Sequence, residues 1–255
     1  MLKKSVLYVL LFLFALFSFL LCKAPAVVVW EKVLTSNPSL QNSMQTMGLN
    51  VESLDGTIWD GQALVRYKGV SSIVDWRLKL TKVYTLSLPL ELDVRSQAGE
   101  IKALVNAGFS GLDMHVLKAD IDLSALTPAF RSQRLTLDGN LLAKDLKAKL
   151  VGGQLKSAGG TVSWSGGDIA YPAQRATHER SLPSFRATLE TRPDGEVYAG
   201  VRDSGGAFDV LELSLDSEGQ ALVKVKRRLL DLADEHWPKN SNEQDTVFKI
   251  KKMIY

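Results

Sequence analysis

The chain has 255 residues and a formal net charge of +3, with 31 Lys and Arg against 28 Asp and Glu. Because this balance creates no strong positive field, nucleic acid is excluded as an expected partner. Cys22 is the single cysteine, so no internal disulfide can form and a hydrophobic core must hold the fold together. The length beyond residue 23 suits one all-β domain.

The N-terminal segment predicts insertion into a membrane. Lys3 and Lys4 precede an apolar run from Val6 to Leu21. This run can span a bilayer if Cys22 is counted with it and the charged end of Lys23 reaches the membrane surface. No equally tight basic cluster follows the run directly. The positive-inside rule therefore places the N-terminus in the cytoplasm and everything after Lys23 outside it, with one pass at most.

Two other interpretations of this segment stay open. Ala24-Pro25-Ala26 has the small residues of a signal-peptidase site, which would make the run a cleaved secretory signal. A lipidated Cys22 is disfavoured because Leu21 is bulkier than the residue expected before a lipidated cysteine. All three place the function outside the cytoplasm. The predicted organisation is a cytoplasmic N-terminus and transmembrane anchor (1–23), a juxtamembrane segment (24–47), a β domain (48–226), and a C-terminal helix and tail (227–255).

After the anchor, a short helix is predicted around Trp30–Leu34, followed by a polar stretch over 35–43. From there the dominant period is two, as in the residues of 86–94 that alternate as Leu86, Leu88, Leu90, Leu92 and Val94. Similar sets recur between turn signals such as Asp138-Gly139 and Gly152-Gly153. They predict roughly ten short strands in an all-β, twisted, antiparallel and open sheet with one apolar face.

Helix is expected to be scarce. Ser124–Thr127, stopped by Pro128, predicts one turn capped by Asp122 or Ser124. Arg227–Trp237 predicts a short C-terminal helix. Three further segments have simpler expectations: Tyr171–Leu182 is an exposed loop, Gly159-Gly160 and Gly166-Gly167 are hairpin turns, and Val247–Tyr255 is a last strand or a frayed tail.

One short pattern occurs twice. Gly56-Thr57-Ile58-Trp59-Asp60-Gly61 is echoed by the longer segment 160–166, which contains Trp164. A strand that begins at Gly-Thr, carries a large aromatic and leaves through a second glycine would place the indole on the apolar face of the sheet. We expect Trp59 and Trp164 to be buried in equivalent positions that pack the sheet. The alternative is an aromatic groove that binds a lipid or a partner.

A family resemblance rests on this first motif and its surroundings. Residues 48–61, followed by Val74-Asp75-Trp76-Arg77-Leu78 after a membrane run, resemble the type II secretion system protein N family, also called general secretion pathway protein N. The family pattern of glycine, threonine, aliphatic residue, tryptophan, any residue and glycine corresponds to Gly56, Thr57, Ile58, Trp59 and Gly61. Its downstream tryptophan corresponds to Trp76. The resemblance is specific over about residues 48–80, and Arg227–Trp237 and the tail after it have no evident counterpart.

The resemblance implies a periplasmic β domain held in the inner membrane of a host with two membranes. It further implies an accessory, non-enzymatic component of the type II secretion system that contacts other subunits and could offer them its sheet edges for strand addition. These proteins also resemble AsmA-like lipid-handling proteins. The alternative is therefore a lipid-interacting protein whose curved sheet shelters acyl chains on an apolar face.

Residues typical of catalysis do not form a recognisable pattern. The three histidines, His115, His178 and His236, are not at metal-ligand spacing, and no nucleophile elbow, phosphate loop or dinucleotide fingerprint occurs. Asp120 and Asp122 share a strand face, where solvent-facing positions explain them better than a catalytic pair. We therefore expect no catalytic residue, no metal and no cofactor. The candidate residues, structural or interacting, are Gly56, Thr57, Trp59, Gly61, Trp76 and Trp164.

Overall fold

The computed structural model describes residues 12, 19, 23–79, 87–108, 111–173, 176–235 and 240–254. The predicted membrane run Val6–Leu21 lies outside these residues, apart from Phe12 and Phe19, and Trp237 and His236 lie outside them as well. In the part of the chain that is described, no helix combines the length and the apolar character needed to cross a bilayer.

Strands dominate the described residues, as the period of two predicts. They are β1 (Leu49–Gly56), β2 (Asp60–Tyr67), β3 (Val70–Leu78), β4 (Ser87–Ser96), β5 (Gly99–Gly108), β6 (Gly111–Asp122), β7 (Thr136–Leu137), β8 (Asn140–Val151), β9 (Gln154–Trp164), β10 (Gly167–Ala173), β11 (Ala176–Leu182), β12 (Phe185–Thr191), β13 (Val197–Asp203), β14 (Leu211–Leu215), β15 (Gln220–Lys226) and β16 (Thr246–Met253).

Thirteen of these strands form one open sheet in the order β1-β2-β3-β4-β5-β6-β8-β9-β12-β13-β14-β15-β16. Every neighbouring pair is antiparallel. The chain leaves this sheet twice, and the strands formed there make a separate three-stranded sheet, β11-β10-β7. The prediction of an all-β, open antiparallel meander is confirmed, with more strands than expected.

The large sheet is amphipathic across its whole width. One row of paired residues runs from Leu54 on β1 to Phe248 on β16, and each of the thirteen strands contributes an apolar residue to it. In chain order the row is Leu54, Ala63, Val74, Val94, Ile101, Ala119, Ala143, Val162, Ala187, Val201, Leu211, Val225 and Phe248.

The neighbouring row faces the other way and is polar or glycine at every strand. It runs from Asp55 and Gln62 through Lys102, Lys118 and Lys144 to Lys249, the last of which pairs with Lys224. Side chains alternate between the faces of a strand, so antiparallel pairs in register place like residues side by side. We call the two surfaces the apolar face and the polar face.

The apolar face is accessible in the described chain. Of the thirteen residues in its central row, only Ala63, Ala119 and Ala143 are buried, and Phe248 is 46% exposed. The one fully buried large side chain among the described residues is Val210. A single layer can bury a side chain only against its neighbours in the same sheet, so these residues stay half-buried until something else covers them.

The helices are short and lie at the ends and one edge of the sheet. α1 (Ala26–Ser36) and α2 (Pro38–Met47) both contact β1. α3 (Thr127–Phe130) follows a 3-10 turn, and just before that turn Asp122 Oδ1 accepts a hydrogen bond from Ser124 N at 3.0 Å. α4 (Arg227–Leu232) follows β15. The N-cap position is Leu123 rather than Asp122 or Ser124, and Pro128 does not end the turn, because it lies in the first turn of α3, where its missing N–H is tolerated. α2 was not expected. The residues at the ends of α2 are common at helix boundaries: Pro38 lies in the first turn, and Gly48, at φ +75°, follows the last turn.

Four expectations are corrected by the fold. The segment 171–182 was expected to be a loop, but its described residues, 171–173 and 176–182, belong to β10 and β11, which pair with each other. Gly159-Gly160 is not a hairpin turn but lies inside β9. Gly160 has φ +128° and lies opposite an irregularity in the pairing with β8. A Cβ on Gly160 would be 2.6 Å from the Asp145 carbonyl oxygen, so a glycine is needed there. The helix that begins at Arg227 ends at Leu232. The sheet also continues past the expected boundary at residue 226, because β16 pairs with β15.

Candidate functional site

The Gly56–Gly61 motif is the hairpin that connects β1 to β2. β1 ends at Gly56 and β2 begins at Asp60, and Gly56 pairs with Gly61 across the turn. Thr57, Ile58 and Trp59 form the connecting loop. The motif is therefore a turn rather than the strand that the sequence pattern predicts.

Both glycines of the motif are required by the backbone. Gly56 has φ +93°, which side chains rarely adopt, and a Cβ there would lie 2.6 Å from the Asp60 carbonyl oxygen. A Cβ on Gly61 would overlap the indole of Trp76 and lie 2.5 Å from the Asp55 carbonyl oxygen. The turn can close only because neither residue has a side chain.

Thr57 closes the loop with its backbone and its hydroxyl. Its N–H donates to the carbonyl of Asp60 at 2.9 Å. Its Oγ1 accepts hydrogen bonds from the N–H of Trp59 at 3.3 Å and from the N–H of Asp60 at 3.2 Å. Asp60, the variable position of the family pattern, forms an exposed ion pair with Arg77 at 2.8 Å. A threonine side chain thus satisfies loop N–H groups that no strand pairs.

β3 holds this loop from the side. Trp76 Nε1 donates to the Thr57 carbonyl at 3.2 Å, and the N–H of Leu78 donates to the Trp59 carbonyl at 2.6 Å. Because Trp76 pairs directly with Gly61, its indole covers the space that the glycine leaves free. Trp76 therefore contacts two of the motif positions, Thr57 and Gly61.

The same loop receives the chain from the N-terminal side. The N–H of Ile58 donates to the Ala24 carbonyl at 3.2 Å, and Pro25 forms an isolated antiparallel bridge with Thr57. These contacts attach the segment before α1 to the first hairpin of the sheet. The N-terminal joint, as we name it, consists of Ala24, Pro25, Gly56–Gly61 and Trp76.

Trp164 is the structural counterpart of Trp76 and not of Trp59. It is the last residue of β9, its Nε1 donates to the Asp138 carbonyl at 2.8 Å, and its ring stacks on Phe185 with centroids 5.8 Å apart. A Cβ on Gly139 would lie 2.8 Å from that Nε1. Both indoles thus donate to a loop carbonyl and cover a glycine. The expected equivalence of Trp59 and Trp164 is wrong, and Trp59, Trp76 and Trp164 are each half-buried rather than buried.

The hairpin expected to be a loop carries a polar cluster that the sequence did not reveal. Glu235 accepts a hydrogen bond from the Tyr171 hydroxyl at 2.6 Å and lies 3.0 Å from His178 Nδ1 and 3.7 Å from Arg180 Nη2. The hydrogen bonds from Tyr171 and His178 hold the pKa of Glu235 below its usual value. Arg180 Nε also donates to the Ala233 carbonyl at 2.6 Å. The cluster attaches the end of α4 to the small sheet.

A second ion pair attaches the start of α4 to the large sheet. Arg228 Nε and Nη2 donate to the two carboxylate oxygens of Asp203 at 3.0 and 2.9 Å, and its Nη1 donates to Glu243 at 2.9 Å. Asp203 is the buried charged residue of the described chain. The hydrogen bonds from Arg228 lower the pKa of Asp203, although burial acts in the opposite direction. Both clusters explain how α4 is held.

The side chains that could act chemically are used structurally where they are described. Asp122 accepts a hydrogen bond from the N–H of Ser124, and Asp120 lies 3.7 Å from Lys118 Nζ. His115 Nε2 lies 2.5 Å from Asp145 Oδ1, with no nucleophile in the pair. Within the described ranges, no group of three or more His, Cys, Asp or Glu is placed to hold a metal ion. The absence of an enzymatic activity stays a prediction.

The fold defines a class of protein, a single-layer, open antiparallel sheet with one accessible apolar face. The particular family follows from comparison: residues 47–238 match the family described as type II secretion system (T2SS), protein N. The match covers more than half of the 255 residues, and the chain belongs to this family. Comparisons with curated proteins and with solved structures give no significant match.

The match confirms the resemblance carried by Gly56–Gly61 and Trp76 and extends it to residue 238. It therefore includes the segment Arg227–Trp237, for which no counterpart was expected, and it ends before β16. Membership in this family indicates a component of the type II secretion system that associates with other components of that system.

Proposed function

We propose that this chain is an accessory, non-enzymatic component of the type II secretion system, anchored in the inner membrane by its N-terminal segment. Most of the chain lies in the periplasm. The family match over residues 47–238 carries this proposal. The lysines before the apolar run support the orientation, with the N-terminus in the cytoplasm.

The N-terminal joint has a defined task in this arrangement. It connects the segment that leaves the membrane to the first hairpin through the Ile58–Ala24 hydrogen bond and the bridge between Pro25 and Thr57. Because Trp76 and Leu78 of β3 bond to the same loop, the direction of the whole sheet relative to the anchor depends on it. The motif residues thus position the domain rather than contact a substrate.

The experiment is deletion of the gene in its host, followed by measurement of exoprotein export. We expect folded exoproteins to accumulate in the periplasm and export to slow, with restoration by the wild-type gene. The levels of the other secretion components serve as the control. Normal export kinetics at normal levels of those components would contradict the proposal.

A second candidate function, shelter for acyl chains, is favoured by the apolar face. Twelve strand spacings, counted from the thirteen-strand order, make this face about 58 Å wide at ~4.8 Å each. Its central row offers no polar side chain, so it cannot pair the N–H and C=O groups of a peptide, whereas an acyl chain has none to pair. Large accessible apolar surfaces of this kind mark sites of interaction.

A matched pair of substitutions tests this second candidate. Met114 lies on the apolar face and Leu142 on the polar face, and each is 37% exposed. If acyl chains bind, phospholipid that co-purifies with the protein should fall in Met114→Glu and stay at the wild-type level in Leu142→Glu, as measured by mass spectrometry of extracted lipid. Equal lipid in all three proteins, or none in any, would exclude shelter on this face.

A further inference from the structure

The two edge strands of the large sheet, β1 and β16, differ in what lies next to them. β1 is contacted by α1 and α2, and the bridge from Pro25 reaches its hairpin. β16 pairs with β15 alone, and among the described residues no strand lies along its outer side. The outer backbone groups of β16 are therefore available for another strand.

β16 has few of the features that usually protect an edge. It is eight residues long, about 26 Å at ~3.3 Å per residue, and contains no proline. Its one irregularity in pairing lies at the start, between Val225 and Lys226 of the partner strand. From Phe248 to Met253 the strand is regular and exposed. Lysines are the remaining protective feature.

Two of the three lysines of β16 lie on the polar face, and the third, Lys252, pairs with Ala221 on the apolar face. Lys224 and Lys226 of β15 both bond to Glu212, at 3.1 and 2.9 Å. On β16, Lys249 pairs with Lys224 and Lys251 lies two residues further on the same polar face. In the described chain neither Lys249 nor Lys251 forms an ion pair. The polar face therefore ends at this edge in uncompensated positive charge.

The apolar face also ends at this edge without a neighbour strand. Phe248 and Ile250, 46% and 58% exposed, continue the apolar rows of β15 through their pairs with Val225 and Val223. A strand added beside β16 would place alternate side chains on the two faces. Those facing Lys249 and Lys251 would meet positive charge, and those beside Phe248 and Ile250 would meet apolar surface.

We propose that the outer edge of β16 binds an extended, acidic segment of a partner protein by strand addition. Asp or Glu would face Lys249 and Lys251, and aliphatic residues would pack beside Phe248 and Ile250. A second copy of this chain fits less well, because antiparallel pairing of two β16 strands centred on Lys249, Ile250 or Lys251 would bring lysines opposite lysines. The proposal rests on the proposed role as a component that works through other proteins. It lies outside the family match, which ends at residue 238.

The test is titration of the purified full chain with two labelled, end-capped octapeptides, one alternating Glu with Val and one alternating Lys with Val. We expect the Glu peptide to bind about tenfold more tightly, because cross-strand opposite charges attract and like charges repel. Its affinity should fall as salt screens the lysines. Hydrogen exchange should show protection of the β16 amides by the Glu peptide.

A charge swap locates the site. Lys249→Glu/Lys251→Glu should reverse the preference between the peptides, and both residues are exposed, so the unfolding temperature should stay near that of the wild type. The matched control is Lys102→Glu/Lys144→Glu, two exposed lysines of the polar face inside the sheet. It should leave both affinities unchanged.

Three results would overturn the proposal: equal binding of the two peptides, a preference that the swap at β16 does not change, or self-association of the chain that the swap abolishes. Failure of the secretion role is a separate outcome. It would appear as normal export in the deletion strain while the Glu peptide still binds and the swap still reverses the preference. A clear export defect without peptide selectivity would instead reject the edge and keep the role.

Discussion

The two edges of the large sheet differ in what ends them. At β1, α1 and α2 contact the edge strand and the N-terminal joint lies at its hairpin. At β16 the chain ends the sheet with an exposed strand that carries lysines. An antiparallel meander has no intrinsic stop, because every edge strand can pair with another. The first edge therefore has contacts with other parts of the molecule, whereas among the described residues no strand lies along the outer side of the second.

The difference also predicts where the sheet is strong. The joint combines glycine turns, loop hydrogen bonds and the Trp76 indole, all of which must be broken together. β16 is held by one neighbour and exposes most of its side chains. Local opening free energies follow buried contacts and protected hydrogen bonds, so hydrogen exchange should be slow at the joint and fast at β16.

The largest expected effect is at the joint. Trp76→Ala should lower the free energy of unfolding by about 3 kcal/mol, the low end for a large aromatic, because the indole is half-buried. Trp76→Phe keeps a ring over Gly61 and loses the N–H that bonds to Thr57, so it should cost about 1 kcal/mol. Urea denaturation of both variants measures this. A normally stable Trp76→Ala that fails in secretion would make Trp76 a recognition residue instead.

The glycine under that indole gives a slightly smaller effect. Gly61→Ala should cost about 2 kcal/mol, because the added methyl overlaps Trp76 and a backbone oxygen. Gly159→Ala is the control, since a Cβ there meets its nearest atom at 3.8 Å. Thermal unfolding should show a clear loss for the first variant and almost none for the second. Equal losses would mean that the overlap is relieved by small movements.

The next prediction concerns the stability of the fold at low pH and the ion pair between Asp203 and Arg228. The pKa of Asp203 is lowered in the folded protein by hydrogen bonds from Arg228. A lowered folded pKa contributes stability that is complete above the unfolded value, ~3.9, and is lost as pH falls through the folded value.

The difference in unfolding free energy between wild type and Asp203→Asn should therefore shrink as the pH falls below about 4. Asp209→Asn is the comparison, because Asp209 bonds to Arg202 and Tyr198 rather than to α4. If the difference in unfolding free energy between wild type and Asp203→Asn stayed constant down to low pH, the ion pair between Asp203 and Arg228 would not contribute to the acid sensitivity of the fold.

The smallest expected effect on stability is at β16 itself. Ile250→Ser should change the free energy of unfolding by at most about 0.5 kcal/mol, because the side chain is 58% exposed. The same variant should weaken binding of the alternating Glu–Val peptide, since an aliphatic neighbour is lost. A large loss of stability would show that β16 is a core strand, and the contrast between the two edges would disappear.

The sequence predicted local structure well but predicted contacts between distant segments poorly. The alternation in 86–94 and its counterparts identified strands, an antiparallel order and an apolar face, because side chains alternate by geometry in any strand. The Gly56–Gly61 motif with Trp76 indicated the family. The motif did not reveal that it forms a hairpin loop, or that Trp164 corresponds to Trp76 rather than to Trp59, since both depend on the neighbouring strand.

The sequence by itself determined the local state of most segments, because period, turn residues and caps act within a few positions of one another. Only the tertiary structure decided what lies beside what. The polar segment 171–182 became a hairpin because it pairs with itself and bonds to Glu235, 64 residues after Tyr171. β16 became the open edge because it pairs with β15 across α4. Pairings of this kind depend on register and on contacts between distant residues, which leave no periodic signal in either segment alone.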